Sequence, residues 1–136
     1  MDLNISEHIV MLYYRDLEDA RRFYGETLGL KAVMENDWVT LFQVTPHSLI
    51  GTVKEGGAGG FHKVQDENAV MVSIATSEID QWNERVREAG DIEYVKELYR
   101  SGTLPMSAFL VRDPGGYTVE FFQWDEGGWG QSEHAA

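Results

Sequence analysis

The stretch Asp113-Pro114-Gly115-Gly116-Tyr117-Thr118-Val119-Glu120-Phe121 decides how the chain folds. Pro114 presets the φ of a tight turn and the glycines after it tolerate positive φ, so the chain reverses here. Beyond the turn Val119 and Phe121 alternate with Glu120 and Phe122, the period of a strand running from Tyr117 to Trp124. One face of that strand suits packing on a helix, and the other carries a carboxylate. Met106 to Arg112, immediately upstream, is apolar and β-rich and reads as its hairpin partner, with Ile92 to Glu97 as a further strand.

Working back from there, Ala69 to Ala75 reads as a strand, and Ser77-Glu78-Ile79-Asp80 has the form of a capping box opening a helix. Ile79, Trp82, Val86 and Ala89 supply its apolar stripe and Gly90 its stop. The same order occurs in the first half. His8 to Tyr14 reads as a buried strand, and Asp16 as the N-cap of a helix with the stripe Leu17, Ala20, Phe23, Tyr24 and Leu28, ended by Gly29. Leu30 to Met34, Trp38 to Val44 and Ser48 to Val53 follow as three short strands. The two helices lie about 60 residues apart, which predicts an internal duplication of a strand, helix and three strands.

The expected organisation is a single α+β domain of two βαβββ modules. Module one spans about 5–53, a glycine-rich linker 54–68, module two 69–124, and a flexible, acidic and glycine-rich tail 125–136 that contains Trp129. With 136 residues, 43% of them hydrophobic and 25% charged, the composition is that of one ordinary globular domain. The formal charge of -12 disfavours nucleic acid and anionic membrane surfaces and favours neutral or cationic small partners. No run approaches the roughly 18 apolar residues of a membrane helix, and the N-terminus lacks the pattern of a signal peptide, so a cytoplasmic location is expected. There is no cysteine, which removes thiol chemistry and thiolate ligands.

Two motifs carry a family resemblance: Arg15-Asp16-Leu17-Glu18-Asp19-Ala20-Arg21-Arg22-Phe23-Tyr24-Gly25-Glu26-Thr27-Leu28-Gly29-Leu30, and the turn and strand quoted first. The former resembles the first helix of the vicinal oxygen chelate superfamily, which joins glyoxalases, bleomycin resistance proteins and extradiol dioxygenases, and the latter resembles its last turn and strand. The resemblance covers about residues 5 to 124. It implies two modules forming a cupped, partly closed mixed sheet with helices outside, and a homodimer as the expected assembly, with the modules pairing within a chain or across the dimer. The family includes lyases, isomerases, dioxygenases, transferases and proteins that only bind drugs, so it leaves catalysis open.

Enzymes of that superfamily hold a divalent cation on His, Glu or Gln side chains from four strands. Carried onto this sequence, those positions fall on Ile9, on or near Gly51, on or near Met71, and on Glu120. Three of the four cannot ligate such an ion through a side chain, so no cofactor is the favoured expectation. The alternative keeps a divalent metal (Ni, Zn, Fe or Mn) on Glu120 and His8, and requires the first strand to slip by one residue or to bulge. His47, His62 and His134 fall in loops or the tail; of these His62 is the best placed, because its loop can fold over a site mouth.

Strand alternation gathers Met11, Tyr13, Met71, Ser73, Glu120 and Phe122 as the expected ligand-binding set. Buried among apolar groups, Glu120 needs a counter-charge, a hydrogen-bond donor or a proton. The leading reading is a protein that binds or sequesters an aromatic or cationic small molecule without a metal, helped by its four Trp, six Tyr and six Phe. The alternatives are a metal-dependent lyase, isomerase or dioxygenase, and a metal-free enzyme in which Glu120 is general base and Tyr13 stabilises an oxyanion.

Overall fold

In a computed structural model, described over residues 3–59 and 61–126, the chain divides into two compact units, 1–66 and 67–136. The first contains β1 (His8–Tyr14), α1 (Leu17–Arg21) continued by a π-helical segment (Arg22–Thr27), β2 (Lys31–Glu35), β3 (Val39–Thr45) and β4 (Ser48–Lys54). The second contains β5 (Met71–Ala75), α2 (Ile79–Ala89), β6 (Tyr94–Arg100), β7 (Met106–Arg112) and β8 (Thr118–Trp124). Each unit has one four-stranded sheet, in the orders β1-β4-β3-β2 and β5-β8-β7-β6. In both, the first and last strands pair in parallel and the other pairs are antiparallel. The duplicated βαβββ order is present, as an α+β fold with an open mixed sheet in each half.

Local chemistry explains most of the boundaries. Asp16 caps α1 by accepting a hydrogen bond from the Glu18 N–H, a contact worth about 1 kcal/mol. Gly29 and Gly90 end their helices at positive φ, 75° and 80°. In the final turn the buried Asp113 carboxylate accepts from the N–H groups of Gly115 and Tyr117, and only Gly116 of the glycine pair takes a positive φ.

Four local expectations change. The first helix is α-helical for five residues only; then the Leu28 N–H donates to Phe23 O, five residues back. Gly25, a weak helix former, lies in this widened turn against the Phe42 ring, 3.3 Å from where its Cβ would stand. The capping box does not form: Glu78 is the N-cap without a side-chain bond, and α2 is started by the Thr76 hydroxyl and by Gln123 Oε1, which accept from Glu78 N–H and Ile79 N–H. A strand predicted at 92–97 is observed as β6 at Tyr94–Arg100, and its pairing with β7 contains two register shifts. Asp125, expected in a flexible tail, forms an ion pair with Arg100; Trp129 and His134 lie outside the described residues.

The core of each unit lies between sheet and helix. In the first, Leu12, Tyr14, Phe42 and Ile50 face α1 and its π continuation, with Tyr14 donating to the Tyr24 hydroxyl. In the second, Phe121 stacks on Trp82 and on Phe109, and Val119 is fully buried. These assignments fix which residues face away from the helices, and the candidate site is built on those faces. Among the described residues no helix is long and apolar enough to cross a membrane.

Candidate functional site

The unbroken register of β1 decides the first position. Val10, Leu12 and Tyr14 share the helix face, so His8 belongs to that side, and Ile9, Met11 and Tyr13 face away from the helix. His8 is exposed, with its backbone N–H donating to His47 O at the strand's start. In β4, Leu49, Gly51 and Val53 lie beside Ile9, Met11 and Tyr13 on the face turned from the helix.

Ile9 and Gly51 stand two residues out of register across the parallel pair, because Ile9 opposes Leu49 and Met11 opposes Gly51. Met71 and Glu120 have the same offset in the second unit, where Met71 opposes Thr118 and Ser73 opposes Glu120. The four positions are thus equivalent pairs in the two duplicated sheets. Their side chains are not equivalent. A Cβ on Gly51 would overlap the Met11 sulfur and come within 3.2 Å of Leu41 Cδ2, so the space a side chain at 51 would occupy is filled by a thioether. Ile9 and Met71 offer only hydrocarbon and thioether, and among the described residues no three His, Asp or Glu side chains gather as a metal-binding group. The residues present therefore do not fit the divalent cation of the superfamily's enzymes, which calls for several nitrogen or oxygen donors.

Glu120 is the polar member of the set. It is 8% exposed, and the Ser73 hydroxyl donates to its Oε1 at 2.9 Å. Neighbours on the same face of β8 are Thr118, Phe122 and Trp124, the last two meeting edge to face with ring centres 5.2 Å apart. The arrangement is an oriented carboxylate beside aromatic surface. Such a group can accept hydrogen bonds from an ammonium or amide donor.

Tyr13 belongs to a different surrounding. Its hydroxyl donates to Gly59 O at 3.0 Å and its ring meets His62 edge-on at 5.3 Å. The glycine-rich linker, expected as a plain connection, folds back here. Gly59 lies so close to the Trp38 indole that a Cβ there would overlap the ring, and a Cβ on Gly57 would overlap Trp38 Cβ. His62 reads from sequence as a loop residue whose loop can fold back, and Trp38 gives no such signal, since nothing local links it to glycines some twenty residues away. Of the expected ligand-binding residues, Met11 and Tyr13 thus lie in the first unit and Met71, Ser73, Glu120 and Phe122 in the second. Tyr13 and Glu120, paired in the general-base reading, are in separate units.

Rows running straight across each sheet show what surrounds these positions in each unit. In the first unit Met34, Leu41, Gly51 and Met11 oppose one another in turn across β2, β3, β4 and β1. The matching row of the second unit, across β6, β7, β8 and β5, is Lys96, Leu110, Glu120 and Ser73. One row is apolar, and its duplicate has an ammonium, a carboxylate and a hydroxyl. Lys96 was not singled out from sequence.

A family model described as the Glyoxalase/Bleomycin resistance protein/Dioxygenase superfamily matches residues 6–121. No curated protein sequence matches the chain. Solved structures do: a glyoxalase/bleomycin resistance protein/dioxygenase from Nocardioides is 23% identical, with a TM-score of 0.72 over 94% of this chain and 88% of that one. TioX from Micromonospora sp. ML1 is 19% identical, with a TM-score of 0.72 over 87% and 98%. A lactoylglutathione lyase from Agrobacterium tumefaciens is 20% identical, with a TM-score of 0.67 over 85% and 91%. At these identities the likeness is one of fold.

Proposed function

The chain belongs to the glyoxalase/bleomycin resistance protein/dioxygenase superfamily, and from that premise we propose that it binds an aromatic or cationic small molecule without a metal, through an ammonium group at Glu120. The observation that carries this reading is the content of the four positions. Ile9, Gly51 and Met71 provide no donor, Met11 fills the space over Gly51, and Glu120 remains as one carboxylate, oriented by Ser73. A lone carboxylate holds a divalent ion weakly but serves well for an ammonium group, where the hydrogen bond is charge-assisted. Phe122 and Trp124 add aromatic faces that favour flat rings and cations. The charge of -12 raises the local concentration of cations and works against anions.

In this reading Ser73 has a positioning role: its hydroxyl holds the carboxylate in one rotamer, so less freedom is lost when a ligand binds. Chemistry is not required, because binding alone sequesters the ligand.

The test is calorimetric titration with 2-naphthylmethylammonium and its neutral counterpart 2-naphthalenemethanol. The ammonium compound is expected to bind more tightly, and Glu120→Gln to weaken it about tenfold or more, equivalent to about 1.4 kcal/mol, while leaving the neutral compound unchanged. Equal affinity of the variant for the ammonium compound would remove Glu120 from the site. Elemental analysis of protein purified without chelators provides a second check: a stoichiometric divalent metal would overturn the metal-free reading.

A further inference from the structure

We propose that the ligand of this sheet face is zwitterionic: an ammonium group at Glu120 and Ser73, an anionic group such as a carboxylate at Lys96, and a flat body between them. The inference rests on the assignment of Glu120 above and extends it to a second charge.

The bulged register of β6 is the main observation. In a regular strand, residues three apart point to opposite faces. Lys96 opposes Leu110 and Tyr99 opposes Ala108, so three steps on β6 match two on β7, and the extra residue turns both side chains to the same face. The Lys96 ammonium then rests over the Tyr99 ring, 3.9 Å from its centre. Leu110 opposes Glu120 and Ala108 opposes Phe122, which puts Lys96 and Tyr99 on the face that carries Glu120 and Phe122.

Its ring contact sets Lys96 apart. Among the described residues at least six arginines form ion pairs with carboxylates of the chain, and none of the four lysines does, although acidic side chains outnumber basic ones 23 to 11. Of those lysines Lys96 is the one held over an aromatic ring. It is solvent-exposed and held in place, and a ring face does not neutralise it, so it retains its pull on an incoming anion. In the duplicated sheet Met34 stands where Lys96 does, so the fold itself has no need of a cation there.

The spacing selects the ligand's length. Glu120 and Lys96 are separated by β7, two interstrand steps or about 10 Å. Leu110 between them is apolar, and Tyr99 and Phe122 lie in the adjacent row as aromatic surface. A simple anion would be opposed by the overall charge, whereas a molecule with both charges is neutral overall and can engage both ends.

Four probes test this by calorimetry: 4-methylbenzylamine, cinnamate, 4-(aminomethyl)benzoate, and the longer 4-(aminomethyl)cinnamate. The longer zwitterion is expected to bind at least tenfold more tightly than the amine or the shorter zwitterion, and cinnamate least. Lys96→Met should bring the longer zwitterion to the amine's level without changing the amine, and Lys96→Arg should retain the preference. Equal binding of amine and longer zwitterion, or a preference that survives Lys96→Met in a variant of unchanged melting temperature, would overturn the proposal and leave the Glu120 reading standing. If no probe binds in a way that depends on Glu120, both readings fall together.

Discussion

Gly51 and Met11 show how a single pair of residues changes what a strand pair can do. A shorter residue at 11 would leave room for a side chain at 51, the second of the four positions; here the thioether occupies it. Gly51→Ala must displace the Met11 sulfur and crowd Leu41, and Met11, half exposed at 46%, is free to swing aside. The expected cost is about 1 kcal/mol, at the low end for overpacking because the obstructing atom is on a flexible chain. In a Met11→Ala background the same change should be close to neutral. A double-mutant cycle of urea midpoints measures the difference, and additive effects would show that the sulfur is not what fills the space.

Among the elements, β6 shows most about the limits of reading a sequence. Its two register shifts send Tyr94 toward α2, where its hydroxyl donates to Asn83 Oδ1 at 2.5 Å and Arg87 covers its ring, and send Lys96 to the opposite face. Burial raises the Tyr94 hydroxyl above the ordinary tyrosine value of 10.0, an effect that Arg87 partly offsets. A group whose folded pKa lies above its unfolded value contributes stability that is present below about 10 and lost as pH rises through the folded pKa. Tyr94→Phe should therefore flatten the fall of melting temperature above pH 10, with phenolate absorbance at 295 nm reporting the titration; an unchanged alkaline slope would place the titrating group elsewhere. The strands and helices were otherwise legible, because alternation, N-caps and terminal glycines are local signals. That Glu120 and Ser73 lie on the strand face turned from the helix was legible by alternation, whereas the choice of Glu120 came from the family resemblance. Lys96, Trp38 and the Gln123 cap of α2 were not legible, since each depends on a bulge or on a partner remote in sequence that no periodicity records. The π-helical turn escaped notice because its apolar stripe suits an α-helix equally well.

For the whole molecule the imbalance of 23 acidic against 11 basic side chains is the dominant electrostatic fact. Two effects of salt compete. Screening weakens the exposed arginine ion pairs, but each of these contributes at most about 1 kcal/mol and often nothing measurable. It also weakens repulsion among the surplus carboxylates, which acts between many pairs and over the whole surface. Raising ionic strength from about 0.01 M to 0.15 M shortens the screening length from about 30 Å to 8 Å, which removes most of the long-range part of that repulsion. The repulsive sum is the larger, so the melting temperature should rise by a few degrees over this range. The same change should slow association of 2-naphthylmethylammonium by removing long-range attraction, while its contact with Glu120, buried beside Ser73, is screened far less. Stopped-flow association and dissociation rates across the salt series separate these contributions. The association rate should fall with salt and the dissociation rate stay nearly constant; a dissociation rate that rises in proportion would mean the ammonium rests on exposed surface carboxylates instead of on Glu120.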